Sequence, residues 1–246
     1  MTVKSPVPAS EKLILALDVS EYGYALDLVD RFAEYVGIFK IGLQLFTACG
    51  PKIIEDIAVK RGRKIFLDLK FHDIPNTVSK AAIASSRLGV YMFNVHAWGG
   101  LEMMKRCRES VEAVCLKEDI RKPKILAVSM LTSLTDAILR EELGMRRSVR
   151  TQVKHLSSLA LRAGLDGVVA SGWEVAAIRY HCGDQFLIVT PGIRPSWRPR
   201  DDQRRTMTPG EAVRAGADYI VVGRAVLEQE EPLKALELIS LEMLST

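Results

Sequence analysis

Five charged residues of alternating sign mark the first third of the chain: Asp18, Lys40, Asp68, Lys70 and Asp73. Four of them lie within or at the ends of short apolar runs that read as strands. Asp18 closes LILALDV, Lys40 stands between Phe39 and Ile41 in IFKIG, and Asp68 and Lys70 close KIFLDLK; Asp73 follows in the loop. Side chains alternate along a strand, so Asp68 and Lys70 share one face while Leu67 and Leu69 share the other. Carboxylates interleaved with ammonium groups can aim a proton donor at a reacting atom and stabilise charge that develops there. Desolvated charges rarely stabilise a fold better than apolar packing, so the array points to function. The other account is a set of surface ion pairs at loop starts.

A second group suits an anion. The seventh apolar run leads into Thr190-Pro-Gly-Ile-Arg-Pro195 and the eighth into Val222-Gly-Arg224. Gly223 lets an oxyanion approach backbone N–H groups, and Arg224 supplies a forked cation. A tight turn with an exposed arginine is the plainer reading. Between these runs, the loop from Arg194 to Thr208 holds Arg194, Arg198, Arg200, Arg204 and Arg205, with Asp201, Asp202 and Gln203 among them. Pro195 and Pro199 oppose early helix there. It reads as a lid over an anionic ligand, as a solvated loop, or as a nucleic-acid patch. Trp197 could anchor it to the body of the protein.

The four histidines say less. His72 lies inside the charged motif, and His96 ends the fourth run as a hydrogen-bonded strand-end residue. His155 and His181 read as helix-surface residues. No H-x-D or H-x-x-x-H pairing occurs, which disfavours a catalytic metal. Cys49, Cys107, Cys115 and Cys182 form no C-x-x-C pair and read as free, mostly buried thiols.

These residues need a scaffold. Eight β-rich runs begin at Leu13, Ile38, Lys64, Tyr91, Lys124, Gly167, Phe186 and Tyr219, separated by amphipathic stretches and followed by a last one over Pro232–Leu244. Ser20 reads as a helix cap, and Pro75 and Pro209 as first-turn prolines. Gly37, Gly62, Gly89, Gly164 and Gly216 each stand where a helix gives way to a strand, the position of a left-handed cap. The long connection from Thr132 to Arg150 has room for an extra helix. Eight strand–helix units in 246 residues indicate an α/β fold, a single-domain (β/α)₈ TIM barrel over residues 13–246 behind an N-terminal extension of residues 1–12. A doubly wound open sheet is the runner-up. In a barrel, the charged array and both anion-binding loops converge at the C-terminal mouth. The composition is ordinary for a globular protein, with a mild formal net charge of +4. No apolar run approaches a membrane span and residues 1–12 carry no signal-like apolar core, so the expected location is the cytoplasm.

The run Asp68-Leu-Lys-Phe-His-Asp-Ile-Pro-Asn-Thr77 resembles the signature of bacterial-type orotidine 5′-phosphate decarboxylases. Leu17-Asp18, Lys40-Ile-Gly42, Met130-Leu-Thr-Ser133, Thr190–Pro195, Asp202-Gln-Arg204 and Val221-Val-Gly-Arg224 follow in that family's order. The D-x-K-x-x-D core alone also occurs in Mg²⁺-dependent sugar-phosphate decarboxylases and synthases. The resemblance implies a homodimeric barrel that converts orotidine 5′-phosphate to UMP, the last step of de novo UMP synthesis, without metal or organic cofactor. It implies that Lys70 donates the proton to C6 and that Asp68 lies beside the substrate carboxylate. Asp73 and Thr77, from the neighbouring subunit, would complete each site, with Ile74 also at the substrate. Asp18 and Lys40 would hold the ribose hydroxyls and the array, and Thr132 would read the pyrimidine. Gln203, Gly223 and Arg224 would hold the phosphate, with Arg194 nearby. Neither nucleic acid nor membrane is an implied partner. The alternatives are a Mg²⁺-dependent sugar-phosphate lyase and a non-catalytic barrel that binds nucleic acid through its arginine-rich loop. Two features depart from the pattern: Trp197, where a small residue is expected, and the acidic run Leu227-Glu-Gln-Glu230.

Overall fold

Runs of consecutive apolar residues, with little polar alternation, make strands that are covered on both faces. The computed structural model describes residues 8–198 and 206–244. It contains eight strands: β1 (Leu13–Ala16), β2 (Ile38–Gly42), β3 (Ile65–Phe71), β4 (Met92–His96), β5 (Lys124–Val128), β6 (Gly167–Val169), β7 (Leu187–Thr190) and β8 (Tyr219–Val222). Each pairs in parallel with its neighbours in sequence, and β8 closes on β1. The sheet is therefore a barrel and not a doubly wound open sheet.

Strand parity divides the apolar residues into two cores. Leu13, Leu15, Phe39, Ile41, Leu67 and Phe93 belong to the layer beneath the helices. Ile14, Ala16, Ile38, Phe66, Met92, Leu126, Val189 and Val221 fill the interior. An interior plugged by branched and aromatic side chains leaves room for chemistry only at the mouth.

Several sequence expectations meet their local reasons. Pro75 opens the helix Pro75–Arg87. Pro209 opens Pro209–Arg214, where Thr208 and Glu211 form a reciprocal capping box. The long connection does carry a helix, Asp136–Glu141, capped by Thr135. Gly62, Gly89, Gly164 and Gly216 have positive φ, as left-handed caps require.

Others are corrected. Ser20 caps nothing: the first helix, Tyr22–Phe32, follows Glu21, and the Ser20 hydroxyl accepts from Gln44 Nε2 at 2.9 Å. Gly37 is not among the positive-φ residues; it is needed because a Cβ there would lie 2.7 Å from the Glu11 backbone. That backbone belongs to a 3-10 turn, Ala9–Lys12, whose Ser10 carbonyl accepts from Gly37 N. The chain thus packs against the barrel before β1 begins. A short helix, Arg224–Leu227, follows β8 directly, and another, Leu43–Cys49, follows β2. The cysteines are free, with Cys107 and Cys115 buried and Cys49 and Cys182 partly so. His155 and His181 are exposed on helices.

Candidate active site

Strand parity also places the charges. Asp18 continues the inward series Ile14, Ala16; Lys40 follows Ile38; Asp68 and Lys70 follow Phe66. All four open onto one cavity of about 260 Å³ at the mouth, with Thr132, Gly223 and Arg224 also on its wall. The charges form a continuous chain. Lys40 Nζ lies 3.0 Å from Asp18 Oδ1 and 3.6 Å from Asp68 Oδ2, and Lys70 Nζ lies 2.7 Å from Asp68 Oδ1. Gly42 leaves the space this needs, since a Cβ there would stand 3.0 Å from Lys40 Nζ. Lys40 is 9 % exposed and Asp68 is mostly buried, so the centre of the array is built into the protein while Asp18 at its outer end faces solvent.

The β3 end of the array is irregular. Leu67 pairs with Phe93, but the next partner pair is Phe71 with Val95, so β3 carries two residues more than β4 over that interval. Lys70 has φ +53°, a left-handed conformation uncommon outside glycine. Asp68 and Lys70 nevertheless share a face, with Leu69 and Phe71 packed on the outer layer. Asn94, fully buried on β4, bridges the irregularity: its Oδ1 accepts from Lys70 N and its Nδ2 donates to Asp68 Oδ1, both at 2.7 Å. Burial pushes the Asp68 carboxyl up. The charges of Lys40 and Lys70 and hydrogen bonds from Lys70 and Asn94 outweigh it and hold the carboxyl below its ordinary value.

His96 ends β4 and accepts from Trp98 N through Nδ1 at 3.5 Å, while its ring stacks on His72 at 5.3 Å between centroids. Burial, reinforced by His72 and Lys70, pushes its pKa from 6.5 down to about 4. As pH falls through the window from 6.5 to about 4, the unfolded chain takes up a proton that the folded chain refuses, so stability falls with pH there. Urea unfolding at neutral pH and at pH about 5 will show this loss in the native chain and a smaller one in His96→Gln; an equal loss in both would remove His96 as its source.

The remaining expected residues separate into three groups. Arg194 lies on a smaller recess of about 40 Å³ that shares Gly223 and Arg224 with the main cavity, and its Nη2 donates to Thr206 Oγ1 at 2.6 Å. Asp73, Ile74 and Thr77 are exposed and do not line that cavity; the Asp73 carboxylate accepts from Ile74 N at 2.6 Å. Gln203, with residues 199–205 of the arginine-rich loop, lies outside the described residues. The loop's described stem is tied down: Ser196 donates to Glu242, Trp173 Nε1 donates to the Thr206 carbonyl, and Arg198 pairs with Glu228. The acidity after β8 thus has a partner in the loop's own arginine. Trp197 remains 38 % exposed.

A family model described as orotidine 5′-phosphate decarboxylase / HUMPS family matches residues 11–239. The chain belongs to this family. An orotidine 5′-phosphate decarboxylase of Syntrophotalea carbinolica is 52 % identical over 238 residues, covering 96 % of each chain. One from Geobacter metallireducens is 48 % identical over 231 residues, covering 94 % of this chain and 95 % of the relative. Among solved structures, orotidine 5′-phosphate decarboxylase from Lactobacillus acidophilus superposes with a TM-score of 0.82 at 37 % identity, over 94 % of this chain and 97 % of that one.

Within this orotidine 5′-phosphate decarboxylase / HUMPS barrel, sequence reasoning overlooked Asn94. The available signal was parity: Asn94 shares the inward face of β4 with Met92 and His96, and a buried amide needs partners. No helix among the described residues is long and apolar enough to cross a membrane.

Proposed function

We propose that the protein converts orotidine 5′-phosphate to UMP and CO₂ and works as a homodimer with shared sites. The observation that carries the reading is the unbroken Asp18–Lys40–Asp68–Lys70 chain at the barrel mouth. The bond from C6 of the pyrimidine to its carboxylate breaks, the electron pair stays on C6, and CO₂ leaves. The Lys70 ammonium stabilises the developing carbanion and then transfers its proton to C6; solvent reprotonates the amine. Asp68, held ionised by its neighbours, aims Lys70 and lies beside the departing carboxylate. Preorganised charge of this kind needs no rearrangement as the reaction proceeds. Asp18 and Lys40 hold the ribose hydroxyls, Thr132 reads the base, and Gly223 with Arg224 binds the phosphate.

The shared site rests on Asp73, Ile74 and Thr77 lying off their own cavity. Exposed apolar side chains follow four adjacent strands, Leu43 after β2, Ile74 after β3, Trp98 after β4 and Leu131 after β5. Such an arc on one side of the mouth suits a second copy of the chain.

The test is the loss of orotidine 5′-phosphate ultraviolet absorbance on adding purified protein, with the rate unchanged by EDTA. No turnover overturns the reading, and a Mg²⁺ requirement redirects it to sugar-phosphate chemistry. The phosphate does not react, yet its binding energy can organise the site. Arg224→Ala is therefore expected to lower kcat/KM by roughly 10- to 100-fold, the loss of one charge-assisted hydrogen bond, with part of the loss in kcat. A change confined to KM would assign Arg224 to affinity alone.

A further inference from the structure

We infer that Asn94 is a positioning residue for the reaction, acting by holding Lys70 and Asp68 in register across the irregular end of β3. The inference rests on the reading of Lys70 as proton donor. In an even ladder, the step from Phe93 to Val95 on β4 would match a step of two residues on β3; here it matches the four from Leu67 to Phe71. The two extra residues let Lys70 turn into the mouth beside Asp68 at φ +53°. That turn takes Lys70 N out of the regular ladder, and an unpaired amide in a partly buried strand is costly. The Asn94 carbonyl supplies the acceptor at 2.7 Å.

The other half of the same amide acts on the carboxylate. Asn94 Nδ2 and Lys70 Nζ both reach Asp68 Oδ1 at 2.7 Å, while Lys40 faces Oδ2 at 3.6 Å. Asp68 is therefore gripped from three strands, β2, β3 and β4. A side chain here must donate and accept at once within the reach of a two-carbon stem. Leucine does neither, and an ionised aspartate accepts but cannot donate and sets a like charge against Asp68. Asparagine meets both demands without adding charge.

The test uses the full chain with Asn94→Leu, which keeps the branched shape and heavy-atom count but removes both hydrogen-bonding groups, and Asn94→Asp as an isosteric second variant. Two readouts are taken: steady-state kcat and KM on orotidine 5′-phosphate, and crystal structures of the unliganded variants. The expected result is a fall in kcat of about 10- to 100-fold in each variant, with KM within about threefold. In Asn94→Leu, Lys70 is expected to leave its left-handed conformation and its Nζ to part from Asp68. A purely structural asparagine would lower the melting temperature and leave kcat per folded site unchanged. That result, or a Lys70–Asp68 pair unmoved in the Leu variant, overturns the inference. If the native chain does not turn over the substrate, the proposed reaction fails, and the crystal structures alone still decide whether Asn94 sets the Lys70 geometry.

Discussion

Lys70→Ala is expected to lower kcat by about 10⁴-fold or more, because in the proposed reaction one group serves both as proton donor and as the cation facing the developing carbanion. The barrel should survive the change. Asp68 keeps Lys40 and Asn94 as partners, so no buried carboxylate is left alone. Alanine keeps the Cβ, so the cost of the left-handed backbone at position 70 is unchanged by the substitution. The measurement is single-turnover decay of orotidine 5′-phosphate absorbance, with circular dichroism to establish the fold. A loss of less than about 100-fold in a folded variant would take Lys70 out of the donor role, since general acid catalysis alone accounts for that much.

The second large effect concerns assembly. Lys70→Ala and Asp73→Ala chains, each inactive as a homodimer, should regain activity when mixed. In a mixed dimer one site collects both substitutions and the other collects neither. Random exchange at equal concentrations makes half the dimers mixed, so about 25 % of native activity should return. The geometry favours a clean experiment. Asp73 is exposed, and the hydrogen bond its carboxylate accepts comes from the adjacent Ile74 N, so its removal costs the fold little. Absence of recovery, with subunit exchange demonstrated by mass, would place each complete site within one chain.

The two experiments probe different levels of the same design. The first asks whether a local charge does the chemistry. The second asks whether the loop after β3, which does not line its own cavity, is half of another site. Asn94 belongs between them, since it couples the backbone of β3 to the chain of charges.

Much of this was legible in the residues themselves. Apolar runs and their spacing specified eight strands, and alternation placed Asp68 and Lys70 on one face of theirs. Both are local consequences of backbone geometry, and a barrel converts inward parity at strand ends into convergence at one mouth. Local signals were weaker where an alternative partner competed: Ser20 has the right side chain for a cap, but Gln44 reaches it from another element. Gly37 resembled a left-handed cap, yet the close approach of Glu11, a non-local contact, is what excludes a side chain.

The order of residues set which positions carry charge, that Asp68 and Lys70 share a face and that strand ends bring the array to the C-terminal mouth, because those follow from the period of the strand and the order of the units. Contacts between distant segments set the two-residue excess in β3, the inward turn of Lys70 across it, the Asn94 bridge, the position of Asp73 and Thr77 off their own cavity and the pairing of Arg198 with Glu228. Each of these depends on the register between distant segments, and register is set by the summed packing and hydrogen bonding of the whole sheet, which no short stretch of residues encodes.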